Sequence, residues 1–136
     1  MANVYLDSCI VIYLIQGPDE LSNAITKALR PEEGEPSAVF ASDLTRLECR
    51  VWPVREGDDE LLRQFDDLFA SEDLTRTPIT TETFDLATEL RGLHGTKTPD
   101  ALHLAAAILE GCQEFWTNDH RLSAAARNRI GLKVFS

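Results

Sequence analysis

Four acidic residues are spaced so that a parallel sheet would bring their side chains to one place. They are Asp7, Glu48, Asp100 and Asp119. Asp7 ends the first apolar run, Glu48 lies about one turn inside a predicted helix, and the other two fall at predicted helix starts. Because the carboxyl ends of parallel strands meet at one edge of a sheet, all four should face that edge. Mg²⁺ and Mn²⁺ prefer oxygen ligands, so the spacing predicts a divalent metal site that activates water for displacement at phosphorus.

Each acid taken alone also has a simpler interpretation. Asp100 suits the positive end of a helix, where negative charge is stabilised by about 0.3–1 kcal/mol, and Asp119 suits an N-cap. Glu48 could lie on a solvated helix face. Asp7 is harder to explain, because a carboxylate between two apolar segments is poorly solvated unless something pairs with it. The layout therefore leaves both a shared metal site and separate structural roles open.

Strands and helices alternate along the whole chain. Five short segments are predicted to be strands: 4–6, 38–41, 74–79, 115–117 and 132–135. The first is apolar on both flanks, which is typical of a central strand covered by helices on both faces. The third is polar enough to lie at an edge. The alternation predicts the α/β class, a three-layer α/β/α sandwich with a mainly parallel sheet, in which residues 1–136 form a single domain.

Glycine, proline and small polar residues delimit the predicted helices. Asp19 is expected to cap the second helix, and Pro53 should end or kink the third. Thr98 and Pro99 are expected to be the N-cap and first residue of an apolar helix that should be deeply buried. In the helix before it, the apolar spacing predicts an inward stripe made by Phe84, Ala87, Leu90 and Leu93.

The composition is typical of a folded protein in which acidic residues outnumber basic ones. Hydrophobic residues make up 43% of the 136 residues, and the net charge is −10. That charge is unfavourable for general phosphate binding, so either the partner is basic or neutral, or divalent cations offset part of the acid. We expect no membrane span, because no apolar run approaches the ~20 residues that a span needs. We expect no export leader, because the sequence shows no basic-then-apolar segment with a cleavage site. Three cysteines without CxxC spacing are typical of reduced thiols in a cytoplasmic protein.

Four short motifs, taken together, give a family resemblance. They are Leu6-Asp7-Ser8, Thr45-Arg46-Leu47-Glu48, Thr98-Pro99-Asp100-Ala101-Leu102-His103-Leu104-Ala105 and Thr117-Asn118-Asp119. Each motif is ordinary by itself, but their order, spacing and strand–helix context resemble a PIN domain over nearly the whole chain. Within that family, the chain resembles the VapC-type toxin ribonucleases of bacterial toxin–antitoxin pairs.

The resemblance implies a Mg²⁺- or Mn²⁺-dependent endoribonuclease whose sheet has the strand order 3-2-1-4-5. It implies that the four acids are catalytic, with Asp7, Asp100 and Asp119 as direct or water-mediated metal ligands. Glu48 would be a further ligand or would orient the water. Ser8 and Thr117 would support the site, Thr117 through its hydroxyl.

The resemblance also implies partners. The substrate would be RNA, cut to leave 5′-phosphate and 3′-hydroxyl ends. A cognate antitoxin protein would supply basic residues to the groove, which gives the basic-partner explanation of the charge a concrete form. The family suggests a homodimer.

Several other residues permit two interpretations. Arg46, Lys97 and Arg121 lie near the acids in sequence and could contact RNA phosphates, although a solvated surface position is the simpler explanation for each. His103 follows Asp100 by three residues, a spacing that allows metal ligation from a shared helical face. We interpret it as a core histidine on an apolar helix. Trp52 could belong to the core or to a partner-binding patch.

Other functions fit the same layout less well. A carboxylate nucleophile for phosphotransfer would also follow the first strand, but haloacid-dehalogenase-like enzymes need a second aspartate where Cys9 stands. Receiver domains need neighbouring acids before the acceptor, and dinucleotide binding needs a glycine-rich turn that Ser8-Cys9-Ile10 lacks. A catalytically silent protein-interaction module of the same fold would bind a partner without cleaving RNA.

Overall fold

The computed structural model describes residues 2–136 and contains a five-stranded sheet in the order β3-β2-β1-β4-β5. Every pair of neighbouring strands is parallel. The bounds are β1 Asn3–Leu6, β2 Ala38–Ala41, β3 Leu74–Arg76, β4 Glu114–Thr117 and β5 Gly131–Val134. The predicted α/β sandwich and its strand order are confirmed, and β3 is an edge strand as expected, although shorter than residues 74–79.

Helices cover both faces of this sheet. Their bounds are α1 Ser8–Gln16, α2 Asp19–Leu29, α3 Asp43–Glu56, α4 Asp59–Ala70, α5 Thr81–His94, α6 Thr98–Glu110 and α7 Ser123–Ala126. Residues 120–122 form a 3₁₀ turn immediately before α7. Within residues 2–136, no helix combines the length and apolar character that a membrane span requires.

The central strand β1 divides the interior into two apolar clusters. Val4 and Leu6 pack in one cluster with residues of α1, α2 and α4, whereas Tyr5 packs in the other with residues of α5 and α6. This division follows from the alternation of side chains along a strand. All three residues are at most 1% exposed. The Tyr5 side chain therefore points toward α6 and stacks on Phe115 of β4, with ring centroids 5.5 Å apart.

Helix α3 continues past Pro53, where the sequence predicted an end or a kink. Ser42 caps it through a reciprocal pair of hydrogen bonds with Thr45, which is a capping box. Pro53 lies inside the helix and is buried, so it neither ends the helix nor shortens it. The ring fixes φ near its helical value, and its missing N–H costs the helix one hydrogen bond near its C-terminal end. The helix ends before Gly57, whose φ of 65° is in the left-handed region.

The predicted inward face of α5 is partly wrong. Phe84 is 53% exposed and Leu93 is 65% exposed, while Thr83, Ala87 and Leu90 form the buried stripe. At about 100° of rotation per residue, positions 84 and 93 flank that stripe on opposite sides. Only a narrow face of α5 packs against the core, and both sides of that face are exposed to solvent.

Two predicted helix caps are displaced by one residue. Pro18, not Asp19, is the N-cap of α2, and Lys97, not Thr98, is the N-cap of α6. Asp19 therefore lies in the first turn of α2, and Pro99 and Asp100 lie in the first turn of α6. Helix α6 is buried on most of its surface, as predicted, and ends before Gly111, where φ is 82°. This rigid helix carries Asp100 and His103.

Candidate metal centre

Asp7 lies where strand β1 meets helix α1, at the carboxyl edge of the sheet. It is the N-cap of α1, and its Oδ1 accepts a hydrogen bond from the Ser8 backbone N–H at 2.8 Å. Its Oδ2 accepts another from the Thr117 hydroxyl on β4, also at 2.8 Å. Asp7 is only 8% exposed. The two donors explain how this carboxylate is held at the end of an apolar strand.

Glu48 reaches the same place from helix α3. Its Oε1 lies 2.5 Å from Nε2 of His103, which comes from α6. The same Nε2 is 3.8 Å from Oδ1 of Asp7. The His103 side chain is 1% exposed and that of Glu48 is 29% exposed. Three elements that are far apart in sequence thus place two carboxylates around one buried imidazole.

A hydroxyl network lies beneath this cluster. The Tyr5 hydroxyl donates to Ser42 Oγ at 2.8 Å and lies 2.8 Å from Nδ1 of His103. Thr45 Oγ1 is 3.3 Å from the same phenol oxygen. Burial raises the pKa of Tyr5 well above its ordinary value, so the phenol keeps its proton at physiological pH. The capping box of α3 therefore also anchors the tyrosine that contacts His103.

Asp100 lies beside the cluster rather than in it. With Asp119, Lys97 and Arg121, it lines a hollow of about 210 Å³ near the end of β4. Burial raises the pKa of Asp100, and the charge of Asp7 raises it further. Asp100 and Asp7 are therefore expected to repel each other when both are ionised.

Asp119 is already paired with a cation. Arg121 Nε lies 2.9 Å from Oδ1 of Asp119 and Nη2 lies 3.0 Å from Oδ2. This bidentate contact lowers the pKa of Asp119. The Asp119 backbone N–H donates to Thr117 Oγ1 at 3.2 Å, so Thr117 connects Asp119 to Asp7. The Arg121 side chain is 74% exposed.

The basic residues considered for RNA contact occupy different surroundings. Lys97 and Arg121 border the hollow that contains Asp100 and Asp119. Arg46 instead pairs with Asp66 of α4 at 3.4 Å and lines a separate groove along α3. Only two of the three residues therefore flank the acids directly.

The donor set fits a divalent cation. In the part of the chain that the structure describes, Asp7, Glu48 and His103 form a group whose ligand atoms all lie within 4.8 Å of one another. Carboxylate oxygens suit Mg²⁺ and Mn²⁺, and an imidazole nitrogen suits later transition metal ions such as Fe²⁺ and Zn²⁺. The structure thus brings Asp7 and Glu48 together with His103, and it places Asp100 and Asp119 along the neighbouring hollow.

The family of the chain follows from a comparison with protein-family models. The model of the PIN domain matches residues 4–128. The chain belongs to the PIN domain family. This confirms the resemblance seen in the four sequence motifs. A comparison with curated proteins found no match.

Solved structures share the fold of this PIN domain at low sequence identity. VapBC2 from Rickettsia felis, bound to a DNA fragment from its promoter, has a TM-score of 0.75 and 17% identity, covering 98% of this chain and 99% of that one. A toxin–antitoxin complex from Klebsiella pneumoniae has a TM-score of 0.69 and 21% identity, covering 96% of both chains. VapBC-5 from Mycobacterium tuberculosis has a TM-score of 0.61 and 19% identity, with 99% and 98% covered.

Two residues of this PIN domain centre were not identified from the sequence. His103 is buried, as interpreted, but its Nε2 faces the carboxylates instead of apolar neighbours. Its spacing from Asp100 was the available signal. The strand pattern assigns Tyr5 only to the core, yet a phenol in a fully buried strand must find a hydrogen-bond partner. The partner proves to be the network beneath the site.

Proposed function

We propose that this PIN domain is an endoribonuclease that depends on Mg²⁺ or Mn²⁺ and acts as the toxin of a toxin–antitoxin pair. Membership of the family supports a nuclease, and the fold shared with the VapBC structures supports the toxin role. The observation that carries the proposal is the convergence of Asp7, Glu48 and His103 within 4.8 Å at the carboxyl edge of the sheet.

The proposed roles follow from the contacts of each side chain. Asp7 and Glu48 would hold the cation, with Asp100 and Asp119 as direct or water-mediated ligands. Such an ion, when bound, supplies an activated water and offsets the charge that develops at phosphorus. Thr117 and the Ser8 N–H keep both oxygens of Asp7 in fixed directions, because each donates a 2.8 Å hydrogen bond.

Basic residues at the rim would position the RNA. Lys97 and Arg121 border the hollow beside the acids, where a phosphate on either side of the scissile bond would meet them. Arg121 would break its ion pair with Asp119 and bind such a phosphate instead. Arg46 lies farther along α3 and would contact RNA only at a distance from the cut. The products would carry 5′-phosphate and 3′-hydroxyl ends.

Helix α3 offers a surface for the antitoxin. Trp52 is 54% exposed, so of its two interpretations the core position is excluded and the surface position remains. Leu47, Val51 and Val54 are also exposed and share one face of this helix, whereas Trp52 lies at least about 100° around the helix from them. Exposed apolar patches of this kind mark protein contacts. We propose that the antitoxin covers this face. The toxin is further proposed to be a homodimer, which light scattering would test, and to act in the cytoplasm.

The decisive experiment is cleavage of a mixed RNA pool by the full chain. The parent protein should cut RNA with Mg²⁺ or Mn²⁺ and stop when EDTA is added. Asp7→Asn keeps the size of the side chain but removes its charge, so cleavage should be lost. Asp67→Asn is the matched control, because Asp67 is an exposed acid on α4, and this variant should cleave like the parent.

The failing outcomes are equally specific. If the parent cuts no RNA at high enzyme concentration but binds the product of a neighbouring antitoxin-like reading frame, the chain is an interaction module. If Asp7→Asn cleaves as well as the parent, the cutting activity belongs to a contaminant or to another site. Cleavage that persists in EDTA would contradict metal dependence.

A further inference from the structure

A shallow groove runs along the exposed side of helix α3. Its volume is about 890 Å³, and its floor is formed by Leu47, Val51 and Val54. These side chains are 57%, 44% and 60% exposed. Because a helix turns by about 100° per residue, spacings of four and three residues place them in one row. The α3 groove therefore has an apolar floor that the folded chain leaves open to solvent.

Arginines border this floor on both sides. The groove is lined by four of the 13 lysines and arginines of the chain, which are Arg46, Arg50, Arg55 and Arg76. The helical rotation places the first two on one side of the apolar row and Arg55 on the other. Arg76 reaches the groove from strand β3, where its Nη1 lies 3.1 Å from Oδ1 of Asp43. All four cations are guanidinium groups, which can bind a carboxylate through two parallel hydrogen bonds.

The arginines of the α3 groove outnumber the carboxylates beside them. Arg46 and Arg50 share one carboxylate oxygen, Oδ1 of Asp66, at 3.4 and 2.8 Å. Arg55 is exposed and forms no ion pair with any other residue in 2–136. Since the fourth arginine is paired, two positive charges are unmatched in the groove, although the net charge of the chain is −10.

The lining of the groove favours a peptide over RNA. Proteins bind single-stranded RNA by stacking its bases on aromatic side chains. The floor of the α3 groove is aliphatic, and Trp52, the aromatic residue of α3, lies at least about 100° around the helix from it. Phosphates would pair with the arginines but would leave the aliphatic floor without a partner. An apolar segment that also carries acidic residues satisfies both parts of the groove.

The charges of the groove also disfavour a second copy of this chain as its occupant. In a two-fold symmetric dimer, the same patch of each subunit meets its counterpart. Two copies of the α3 groove would bring their unmatched arginine charges together, and like charges repel across an interface. The groove therefore suits a different chain whose contact surface is acidic.

We propose that the α3 groove binds an acidic amphipathic helix of the antitoxin. Apolar side chains spaced by three and four residues along that helix pack on Leu47, Val51 and Val54, as in other helix-in-groove contacts. Its flanking carboxylates pair with Arg50 and Arg55. The proposal rests on the proposed toxin role and deepens it by giving the chemistry of the partner at this face. Neither RNA nor a metal ion takes part, so the groove and the nuclease can be tested separately.

The test compares two synthetic peptides that differ only in charge. Both have about 18 residues, or about five helical turns, with leucines along one face; the flanking positions are glutamates in one peptide and lysines in the other. Binding to the full chain is followed by fluorescence anisotropy in EDTA. The glutamate peptide should bind at least about 10-fold more tightly than the lysine peptide, and added salt should weaken its binding. The net charge of −10 favours the opposite order, so this preference requires a local positive site.

Variants locate the bound peptide on the groove. Val51→Asp places a carboxylate in the apolar row, and Arg55→Glu reverses an unmatched charge, so each should weaken binding of the glutamate peptide by about 10-fold or more. Leu93→Asp and Arg127→Glu are the matched controls, because both residues are exposed and lie outside α3, and they should bind the peptide like the parent. Circular dichroism confirms that each variant is folded.

The remaining outcomes separate the two proposals. If the lysine peptide binds as tightly as the glutamate peptide, or Val51→Asp binds like the parent, the groove does not select an acidic helix. If neither peptide binds, the proposal is wrong, and conversion of a dimer into monomers by Val51→Asp would assign the face to a contact between copies. If an RNA oligonucleotide binds the parent in EDTA and loses affinity in Arg55→Glu, the groove binds RNA instead. A parent that binds the glutamate peptide as described but cuts no RNA would support the groove and overturn the nuclease.

Discussion

Thr117 offers a measurable test of how the centre is held together. Its hydroxyl is fully buried, donates to Asp7 Oδ2 at 2.8 Å and accepts from the Asp119 N–H at 3.2 Å. Thr117→Val replaces the hydroxyl with a methyl of similar size. The substitution leaves one oxygen of a buried carboxylate without a donor, so the free energy of unfolding should fall.

The expected loss can be estimated from the contact. A hydrogen bond to a charged group contributes about 1.5–3 kcal/mol. Unfolding entropies of about 2.1 cal/mol/K per residue, applied to the 136 residues of the chain, convert about 2 kcal/mol into a fall in Tm of about 7 °C. The measurement is thermal and urea unfolding in EDTA, so that no bound metal ion contributes to stability.

Thr77 provides the matched control for the same substitution. It is 4% exposed, and its hydroxyl has no hydrogen-bond partner among residues 2–136. Thr77→Val therefore removes an unsatisfied polar group, and stability should stay unchanged or rise by up to about 1 kcal/mol. If Thr117→Val destabilises the protein no more than Thr77→Val, the account of Asp7 as a carboxylate held by two donors is wrong.

Three further predictions concern titration and reactivity. Because the pKa of Asp100 is raised in the folded state, its contribution to the stability of the metal-free protein is present at low pH and is lost as pH rises through the folded pKa. Asp100→Asn should remove this decline when the free energy of unfolding is measured in urea at several pH values. A pH profile that matches that of the parent would contradict the prediction. Arg121→Ala should raise the pKa of Asp119, measured by carboxyl NMR, and no change would mean that the pair does not persist in solution. Burial raises the pKa of the Cys9, Cys49 and Cys112 thiols to about 12, so alkylation at pH 8 should be slow until urea unfolds the chain, and rapid labelling of the native protein would contradict that burial.

Much of the architecture could be predicted from local pattern. An apolar run on both sides of Tyr5 predicts a central strand, and the alternation of strands with amphipathic helices predicts a parallel sheet. Helix ends at Gly95 and Gly111 were predictable, because glycine readily adopts the left-handed conformation found there. The errors lie where local rules compete with packing. Pro53 stays inside α3, and Phe84 and Leu93 remain exposed because the core contacts a narrower face of α5 than periodicity implied.

Residue spacing predicted only the acids of the candidate centre, and the family resemblance added Ser8 and Thr117 as supporting residues. Asp7, Glu48, Asp100 and Asp119 could be named because each falls beside the carboxyl end of a predicted strand or at a helix start. Their partners could not be named in this way. The contact of His103 with Glu48 spans 55 positions in sequence, and the bond from Thr117 to Asp7 spans 110. No local pattern encodes distances of that kind.

The amino-acid sequence by itself determined the order of strands and helices, the family and the acids that a parallel sheet would gather, because these depend on residue type, periodicity and spacing. Only the tertiary structure decided which atoms meet. It placed Nε2 of His103 against two carboxylates, directed the Tyr5 phenol beneath it and paired Arg121 with Asp119. Hydrogen bonds and ligand positions depend on angles and separations of a few ångströms, and packing across the sheet sets those distances.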